Sequence, residues 1–181
     1  MLPENNPPPT IEYTLLGLLY QVPSHGYSLY EKIKDDESLS LIWRVKRSKL
    51  YYLLEKLENQ KLIQSTRVPG ENRPARKEYQ LTKKGKSAFL AWVEAPVKSG
   101  RYVRLVFLAR LYFALQLSQD KALHLIDQQR AECLAWIESL QTQLNVIDTP
   151  NLITTQAYSF RIGQIQAILT WLDECETLLT P

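Results

Sequence analysis

The side chains in this sequence best suited to a chemical task are cations, and they are concentrated in its middle. Residues 44–86 hold eight Lys and five Arg against four acids, a balance of +9, although the 181-residue chain carries only +3. The stretch RPARKEYQLTKKGK, residues 73–86, contributes six of these cations and lies between apolar segments, so it belongs to a folded domain. A basic patch on a near-neutral protein favours a polyanionic partner, most often nucleic acid and less often anionic lipid or an acidic protein.

Side chains that could serve catalysis or hold a metal are scattered. His25 and His124 lie far apart, and neither belongs to a His-Glu or Cys-His cluster with metal-ligand spacing. Cys133 and Cys175 have no neighbouring base and are expected to be buried structural thiols. The sequence contains no Gly-rich phosphate loop. It therefore predicts no enzyme, no catalytic residue, no metal site and no cofactor.

The composition, 45% hydrophobic and 23% charged, is typical of a globular protein. The longest apolar stretch, YVRLVFLARLYFALQL, is interrupted by Arg104 and Arg110, each of which would be costly at the centre of a bilayer. We therefore expect a core helix rather than a membrane span. Two cysteines and no signal-peptide pattern favour a reduced, cytoplasmic setting.

Helical periodicity and turn signals predict the elements that position the cations. Apolar residues at helical spacing predict a first helix over 11–22 and a short second helix over 27–37. The segment 38–47 fits a loop, a short strand or a helical turn. Ser48 is expected to cap the strong third helix KLYYLLEKLENQ. The runs KLIQSTRV and RKEYQLT flank PGENRPA and predict a β-hairpin, and Thr82 is expected to cap a fourth helix. This order predicts a winged helix-turn-helix.

Three further helices are predicted in the second half of the chain. One spans about 100–117 and is apolar nearly all round, the second begins at a Ser118 cap, and the third follows the DTPN break. The last two carry apolar residues in steps of three and four, which favours helices that pack against helices, within one chain or between two. The predicted fold is mainly α, with a winged helix-turn-helix domain at 1–95 and a helical dimerisation and effector domain at 96–181.

The third predicted helix separates its apolar side chains from its basic ones. Four leucines share one face, and the opposite stripe carries Lys49, Tyr52 and Lys56. Three cations lie directly before the helix: Arg44, Lys46 and Arg47. Any single lysine here is explained equally well by plain solvation. The joint pattern suits a DNA major groove, where long basic side chains reach phosphates and the guanine edge.

The predicted hairpin carries further cations. Tyr79 and Leu81 alternate inward, which leaves Arg76 and Lys77 to face outward and Arg73 in the connecting loop. An arginine on a narrow turn can enter the minor groove, where negative potential is concentrated. An ordinary surface loop is equally compatible with the position of Arg73.

Three motifs occur in the order TLLGLLYQVPSHGYSLYEKI, SKLYYLLEKLENQKLI and RPARKEYQLTKKG. Together they resemble the PadR family of bacterial transcriptional regulators, over about the first half of the chain. The second half is similar in pattern and length to the helical dimerisation domain of the larger PadR-type proteins. The resemblance implies a homodimeric DNA-binding repressor, released by a small aromatic ligand or a stress signal.

The resemblance also assigns site residues. Residues 48–60 correspond to the recognition helix and 67–77 to the wing, with Tyr51 in the family's Leu-Tyr pair and Tyr27 in its Gly-Tyr pair. Ser48 and Tyr52 stand where relatives often have Gly and Pro, so this chain departs from the pattern there. The residues expected at the DNA are Arg44, Lys46, Arg47, Ser48, Lys49, Tyr51, Tyr52, Lys56, Arg73, Arg76 and Lys77.

The predicted partners are a second copy of the chain, double-stranded DNA and a small effector. The symmetry of a dimer predicts a pseudo-palindromic operator. Four aromatic side chains are candidates for a pocket that stacks on a flat aromatic ligand, although they suit core packing too: Trp92, Tyr112, Phe113 and Trp136. The alternative function is a winged-helix module that binds a protein partner, since the fold alone does not decide between the two.

Overall fold

The computed structural model describes residues 11–69 and 76–180, which form helices and one small sheet. The helices are α1 (Ile11–Gln21), α2 (Gly26–Asp35), α3 (Glu37–Ile42), α4 (Arg47–Asn59), α5 (Lys83–Val93), α6 (Leu108–Leu117), α7 (Gln119–Asn145) and α8 (Leu152–Leu179). The strands are β1 (Ser24–His25), β2 (Ile63–Val68) and β3 (Arg76–Leu81). This order confirms the predicted fold class, a winged helix-turn-helix followed by helices.

The chain forms two compact units. The first comprises the described residues up to Val93 together with Arg104–Phe113, and the second comprises Glu94–Val103 with the described residues from Ala114 onward. The first unit therefore includes a segment from beyond residue 95, where the sequence analysis divides the chain.

The sheet is antiparallel, with β3 between β1 and β2. β2 and β3 are the predicted hairpin, and Ile63 lies opposite Leu81 in their register. The two-residue strand β1, for which the sequence analysis makes no prediction, pairs with the other edge of β3 through Ser24 opposite Tyr79. His25 lies in this strand, with Nδ1 3.0 Å from the carbonyl oxygen of Lys77.

A tight junction connects α4 to the hairpin. Lys61 adopts a left-handed backbone conformation with φ of 59°, which turns the chain out of the helix. Thr82 Oγ1 donates to the Lys61 carbonyl at 2.8 Å and accepts from Gly85 N at 3.0 Å, which confirms the predicted cap of α5. A Cβ on Gly85 would lie 1.9 Å from the carbonyl oxygen of Leu62, so only glycine fits this approach.

The core of the first unit is built from leucines and aromatic rings. The predicted inward face of α4 is confirmed, because its four leucines are buried: Leu50, Leu53, Leu54 and Leu57. Phe113 stacks edge-on against Phe89 and lies directly on Gly17, where a Cβ would be 2.6 Å from the ring. Arg110 is buried over the ring of Trp92, and its burial lowers the pKa of the guanidinium to about 10.

The second unit packs α7 against α8. Arg130 on α7 donates to Asp173 at 3.0 Å and also pairs with Glu176, both on α8, which fixes the two helices in register. Gln129 is fully buried and makes two hydrogen bonds to the backbone of Val97: its Oε1 accepts from the amide at 2.8 Å, and its Nε2 donates to the carbonyl at 3.3 Å.

The C-terminal helices differ from the predictions in one segment. The predicted helix over 100–117 is divided into a 3-10 turn (Gly100–Tyr102), a π-helical turn (Val103–Phe107) and α6. The predicted cap of α7 is confirmed, since Ser118 Oγ accepts from Lys121 N at 3.2 Å. Across the ranges that the structure describes, no helix is long and apolar enough to cross a membrane.

Candidate nucleic-acid interface

α4 presents its basic side chains on the face opposite its leucines. Lys49 and Tyr52 are exposed, and the Lys49 ammonium lies 4.6 Å from the centroid of the Tyr52 ring. This cation–π contact holds the lysine stem beside the ring while the charge remains accessible. The two residues therefore form one exposed feature that combines a positive charge with an aromatic surface.

The chain entering α4 carries three exposed cations: Arg44, Lys46 and Arg47. Arg47 stacks over two rings from α2, at 5.1 Å from the centroid of Tyr27 and 5.3 Å from that of Tyr30. These contacts restrict the arginine side chain and orient its guanidinium. Arg44 and Lys46 make no ion pair within the described residues.

Ser48 is exposed in the first turn of α4, and its predicted role as the helix cap is wrong. The helix begins at Arg47, and the capping position is taken by Lys46, which makes no side-chain capping bond. The helix can start without such a bond because its leucine face packs into the core, which stabilises it through tertiary contacts. Ser48 is thus left with a free hydroxyl group on the surface of the helix.

Lys56 belongs to the same predicted stripe, but its ammonium is engaged within the protein. Nζ donates to Glu12 Oε1 of α1 at 2.9 Å, and the two side chains are 42% and 17% exposed. This hydrogen bond raises the pKa of the Lys56 ammonium. Lys56 therefore joins α4 to α1, which limits its reach toward an external partner.

Lys77 is also paired, in a small network that ties α4 to the hairpin. Glu58 of α4 accepts from Ser65 Oγ of β2 at 2.5 Å and from Lys77 Nζ of β3 at 3.2 Å. The hydroxyl hydrogen bond and the nearby ammonium hold the pKa of the Glu58 carboxyl below its usual value, against the opposing effect of burial. One carboxylate thus positions both strands of the hairpin relative to the helix.

Arg76 opens β3, is exposed and lies opposite Val68 in the register. It makes no ion pair within the described part of the chain. Arg73, which the sequence analysis places in the hairpin loop, lies outside the described residues. Arg76 is therefore an unpaired cation of the hairpin for which the structure gives a position, as is the exposed Arg67 on β2.

The side chain of Tyr51 is partly exposed and also packs against the start of α2. Its ring lies against Gly26 at the start of α2, where a Cβ would come within 2.7 Å of Cε1, and the side chain remains 42% exposed. Gly26 and Tyr51 belong to the Gly-Tyr pair and the Leu-Tyr pair of the family resemblance, and the structure brings these two residues into contact. Gly26 is needed here because a larger residue would displace the ring.

The four aromatic residues predicted to border a ligand pocket are distributed over both units. Trp92 and Phe113 are buried in the first unit with their ring centroids 6.4 Å apart. Tyr112 donates its hydroxyl to Asp36 Oδ2 at 2.6 Å, and Trp136 lies in the second unit. The rings of Trp92 and Phe113 take part in core packing, and the hydroxyl of Tyr112 serves a structural hydrogen bond.

Three acids important to this geometry were not singled out as partners in the sequence: Glu12, Glu58 and Asp36. Asp36 caps α3 by accepting from Leu39 N at 2.8 Å while its other oxygen binds Tyr112. Apart from Ser65 and the local cap, the partners of these acids lie 19 to 76 residues away along the chain. In the described ranges, no group of three or more His, Cys, Asp or Glu side chains is arranged to hold a metal ion.

Comparison with known proteins gives matches over both halves of the chain. Residues 15–91 match the family model "Transcriptional regulator PadR-like family", and residues 103–180 match the model "Virulence activator alpha C-term". The negative transcriptional regulator PadR of Bacillus subtilis is 28% identical over 131 residues, which cover 72% of this chain and 71% of that protein. A probable transcriptional regulator of Mycobacterium tuberculosis is 25% identical over 91 residues, or 50% of this chain and 47% of that protein.

Among solved structures, the chain is similar to Bacillus subtilis PadR in complex with operator DNA. The TM-score is 0.49 at 23% sequence identity, and the match covers 96% of this chain and 99% of that chain. The family match over residues 15–91 and the relatives found with it agree with the fold described above. Residues 15–91 belong to the PadR-like family of transcriptional regulators, which is a family of regulators rather than enzymes.

Proposed function

We propose that this chain binds a pseudo-palindromic DNA operator as a homodimer, represses transcription there, and is released by a small ligand or a stress signal. The observation that carries the proposal is the basic surface, which we define as Arg44, Lys46, Lys49 and Arg76. All four side chains are exposed, and none makes an ion pair within the described residues. Exposed cations without internal partners can exchange condensed counterions for direct contact with phosphates.

The residues of the predicted interface fall into two groups, those that would contact DNA and those that would position the contacting residues. Ser48, Tyr51 and Tyr52 lie on α4 and would face the base edges, while Lys49, the cations before the helix and Arg76 at the start of β3 would contact phosphates. Lys56 and Lys77 would act as positioning residues, because each is held by a carboxylate. Arg47 contributes an oriented guanidinium, and Arg73 is included on its sequence position alone.

Apolar surface on the second unit supports the homodimer. Several large apolar side chains of α7, its C-cap residue and α8 are more than half exposed: Leu134, Val146, Leu152, Ile153, Phe160 and Leu178. Apolar surface of this kind is stabilised when a second chain covers it. Repression is supported by the similarity to a negative transcriptional regulator, with which this chain is 28% identical.

The test is the salt dependence of binding to the DNA upstream of the chain's own gene, followed by fluorescence anisotropy between 50 and 200 mM salt. If the four cations of each protomer contact phosphates in a dimer, the slope of log K against log[salt] is about −7. A duplex with scrambled half-sites is the matched control and should bind at least about a thousandfold more weakly. If the chain is a repressor, a reporter driven by the promoter upstream of its gene should gain activity when the chain is absent.

The alternative is a winged-helix module that binds a protein partner. It predicts a shallow salt slope and equal affinity for the upstream duplex and its scrambled control. Sedimentation decides the dimer separately, because a stable monomer that binds one half-site as tightly as the full site would contradict the proposed assembly.

A further inference from the structure

Tyr52 lies at the centre of the outer face of α4. It is about 200° around the helix from Leu50, and Leu50 is fully buried, so the ring projects away from the core. Tyr52 is 56% exposed. We propose that Tyr52 determines sequence specificity by contacting the C5 methyl group of one thymine in each half-site of the operator. This inference rests on the proposed function and names the group on the DNA that the helix reads.

The ring of Tyr52 is restricted before any partner arrives. The Lys49 ammonium, one turn earlier on α4, lies over the ring at 4.6 Å from its centroid. This cation–π contact uses one face of the ring and leaves the other face and the outer edge for a partner. Because the two side-chain torsions of a tyrosine are already limited by the contact, less conformational entropy is lost when the ring binds.

Tyr51, the neighbouring tyrosine of α4, is held in a different way. Its ring packs on the start of α2, where a Cβ on Gly26 would lie 2.7 Å from Cε1 and 3.2 Å from Cζ. The ring of Tyr52 is instead held by a residue of its own helix and is more exposed, at 56% against 42% for Tyr51. Tyr52 is therefore the tyrosine of this helix whose apolar surface is more available to DNA.

The apolar character of the ring selects among the groups that a major groove displays. The base edges present hydrogen-bond donors, hydrogen-bond acceptors and one apolar group, the C5 methyl of thymine. Contact between the ring and this methyl removes apolar surface of both from water, which favours binding. The tyrosine hydroxyl is less selective, because it can either donate or accept a hydrogen bond. We therefore expect the ring, rather than the hydroxyl, to set a preference for thymine.

The place of Tyr52 in the helix suits this contact. α4 begins at Arg47, so Tyr52 is its sixth residue and lies within the first two turns. The N-terminal residues of a recognition helix are those that contact base edges. Lys49 can neutralise a phosphate while the ring beside it reaches the neighbouring base. Many relatives have Pro at the position of Tyr52, so the contact would distinguish the site preference of this chain from theirs.

The test compares two forms of the upstream duplex, one with thymidine and one in which deoxyuridine replaces every thymidine. The exchange removes the C5 methyl groups and keeps every hydrogen-bonding group of the bases. Burial of one methyl group corresponds to about a fourfold change in Kd, so a dimer that buries one in each half-site should bind the deoxyuridine duplex about fifteenfold more weakly. Fluorescence anisotropy at one fixed salt concentration gives both values of Kd.

Three variants assign the effect to the ring. Tyr52→Phe should retain the affinity for both duplexes. Tyr52→Ala should bind the thymidine duplex about as weakly as the wild type binds the deoxyuridine duplex, and its two Kd values should be nearly equal. Lys46→Met, at an exposed cation before the helix, is the matched control and should weaken binding to both duplexes by the same factor. Any change in duplex shape caused by deoxyuridine is common to all four proteins, so the ratio of the two Kd values isolates the ring.

The possible results separate this inference from the proposed function. A wild type with equal Kd values for the two duplexes would overturn the inference alone, as would an undiminished ratio in Tyr52→Ala. If Tyr52→Phe loses as much affinity as Tyr52→Ala does, the hydroxyl is the contacting group and the inference is wrong. A wild type that binds neither duplex would refute the proposed function and the inference with it.

Discussion

Replacing Lys56 with Met is expected to cost stability and to leave the salt dependence of DNA binding nearly unchanged. Helical spacing places Lys56 on the same outer stripe of α4 as Lys49, so the sequence alone would assign both lysines to the DNA interface. In the structure the Lys56 ammonium is 2.9 Å from Glu12, whereas Lys49 lies beside the Tyr52 ring and makes no ion pair within the described residues. The pair of variants Lys56→Met and Lys49→Met therefore separates a supporting lysine from a contacting one.

The expected loss of stability depends on how deeply the ion pair between Lys56 and Glu12 is buried. Exposed pairs contribute about 0.2–1 kcal/mol, and breaking a fully buried pair costs about 3–5 kcal/mol. The side chains of Lys56 and Glu12 are 42% and 17% exposed, so we expect this pair to contribute about as much as an exposed pair does. We expect Lys56→Met to lower the free energy of unfolding by about 1 kcal/mol and the Tm by about 2–4 °C. Lys49→Met should leave the Tm unchanged and make the salt slope shallower by about 0.9 for each phosphate that the side chain no longer neutralises.

Urea denaturation, thermal melts and anisotropy on the same protein preparations provide the measurements. Glu12→Gln and the double variant with Lys56→Met complete a cycle, and the interaction energy should be about 1 kcal/mol. The contrary result is a Lys56→Met variant that retains the full Tm and makes the salt slope as shallow as Lys49→Met does. That result would mean that the lysine leaves Glu12 in solution and contacts phosphate.

Three other substitutions test the packing around the interface. Gly85→Ala should lower the free energy of unfolding by about 2–3 kcal/mol in urea, because the new Cβ would overlap the carbonyl of Leu62. Tyr112→Phe should cost about 1.5 kcal/mol by the same measurement, since it removes a hydrogen bond to the Asp36 carboxylate. Glu58 has a lowered pKa, so the stability that it contributes is present above its ordinary pKa and is lost as the pH falls through the lower folded-state value. The Tm of Glu58→Gln should therefore fall less than that of the wild type between pH 5 and pH 3, and parallel curves would contradict this.

The sequence predicted the parts of the fold that depend on local spacing. The leucines of α4 repeat with the helical period, and the two strands of the hairpin are separated by turn-forming residues, so neither prediction required knowledge of distant contacts. The segment 100–117 is apolar nearly all round, and a π-helical turn within it shifts the pattern, while the single polar residue of that turn, Arg104, is not enough to reveal the shift. Periodicity alone therefore could not distinguish one long helix from the three shorter elements.

The candidate site was predictable as a charged surface but not as a set of contacts. The exposed positions of Lys49 and Arg76 follow from helix and strand periodicity. The pairing of Lys56 and Lys77 depends on acids 44 and 19 residues away, and their approach is decided by how the elements pack. Hence the sequence indicates the sign and location of the charge, and the tertiary structure decides which cations remain unpaired.

The buried amide of Gln129 has a consequence for measurements by NMR. The Val97 amide that it binds lies outside the helices and strands, where an exposed amide would normally exchange rapidly with solvent. Because this N–H is buried and bonded to a side chain of α7, its hydrogen can exchange only when the second unit opens locally or unfolds. Val97 should therefore appear as a slow-exchanging amide outside the helices, and its protection factor would report the opening free energy of the second unit independently of the first.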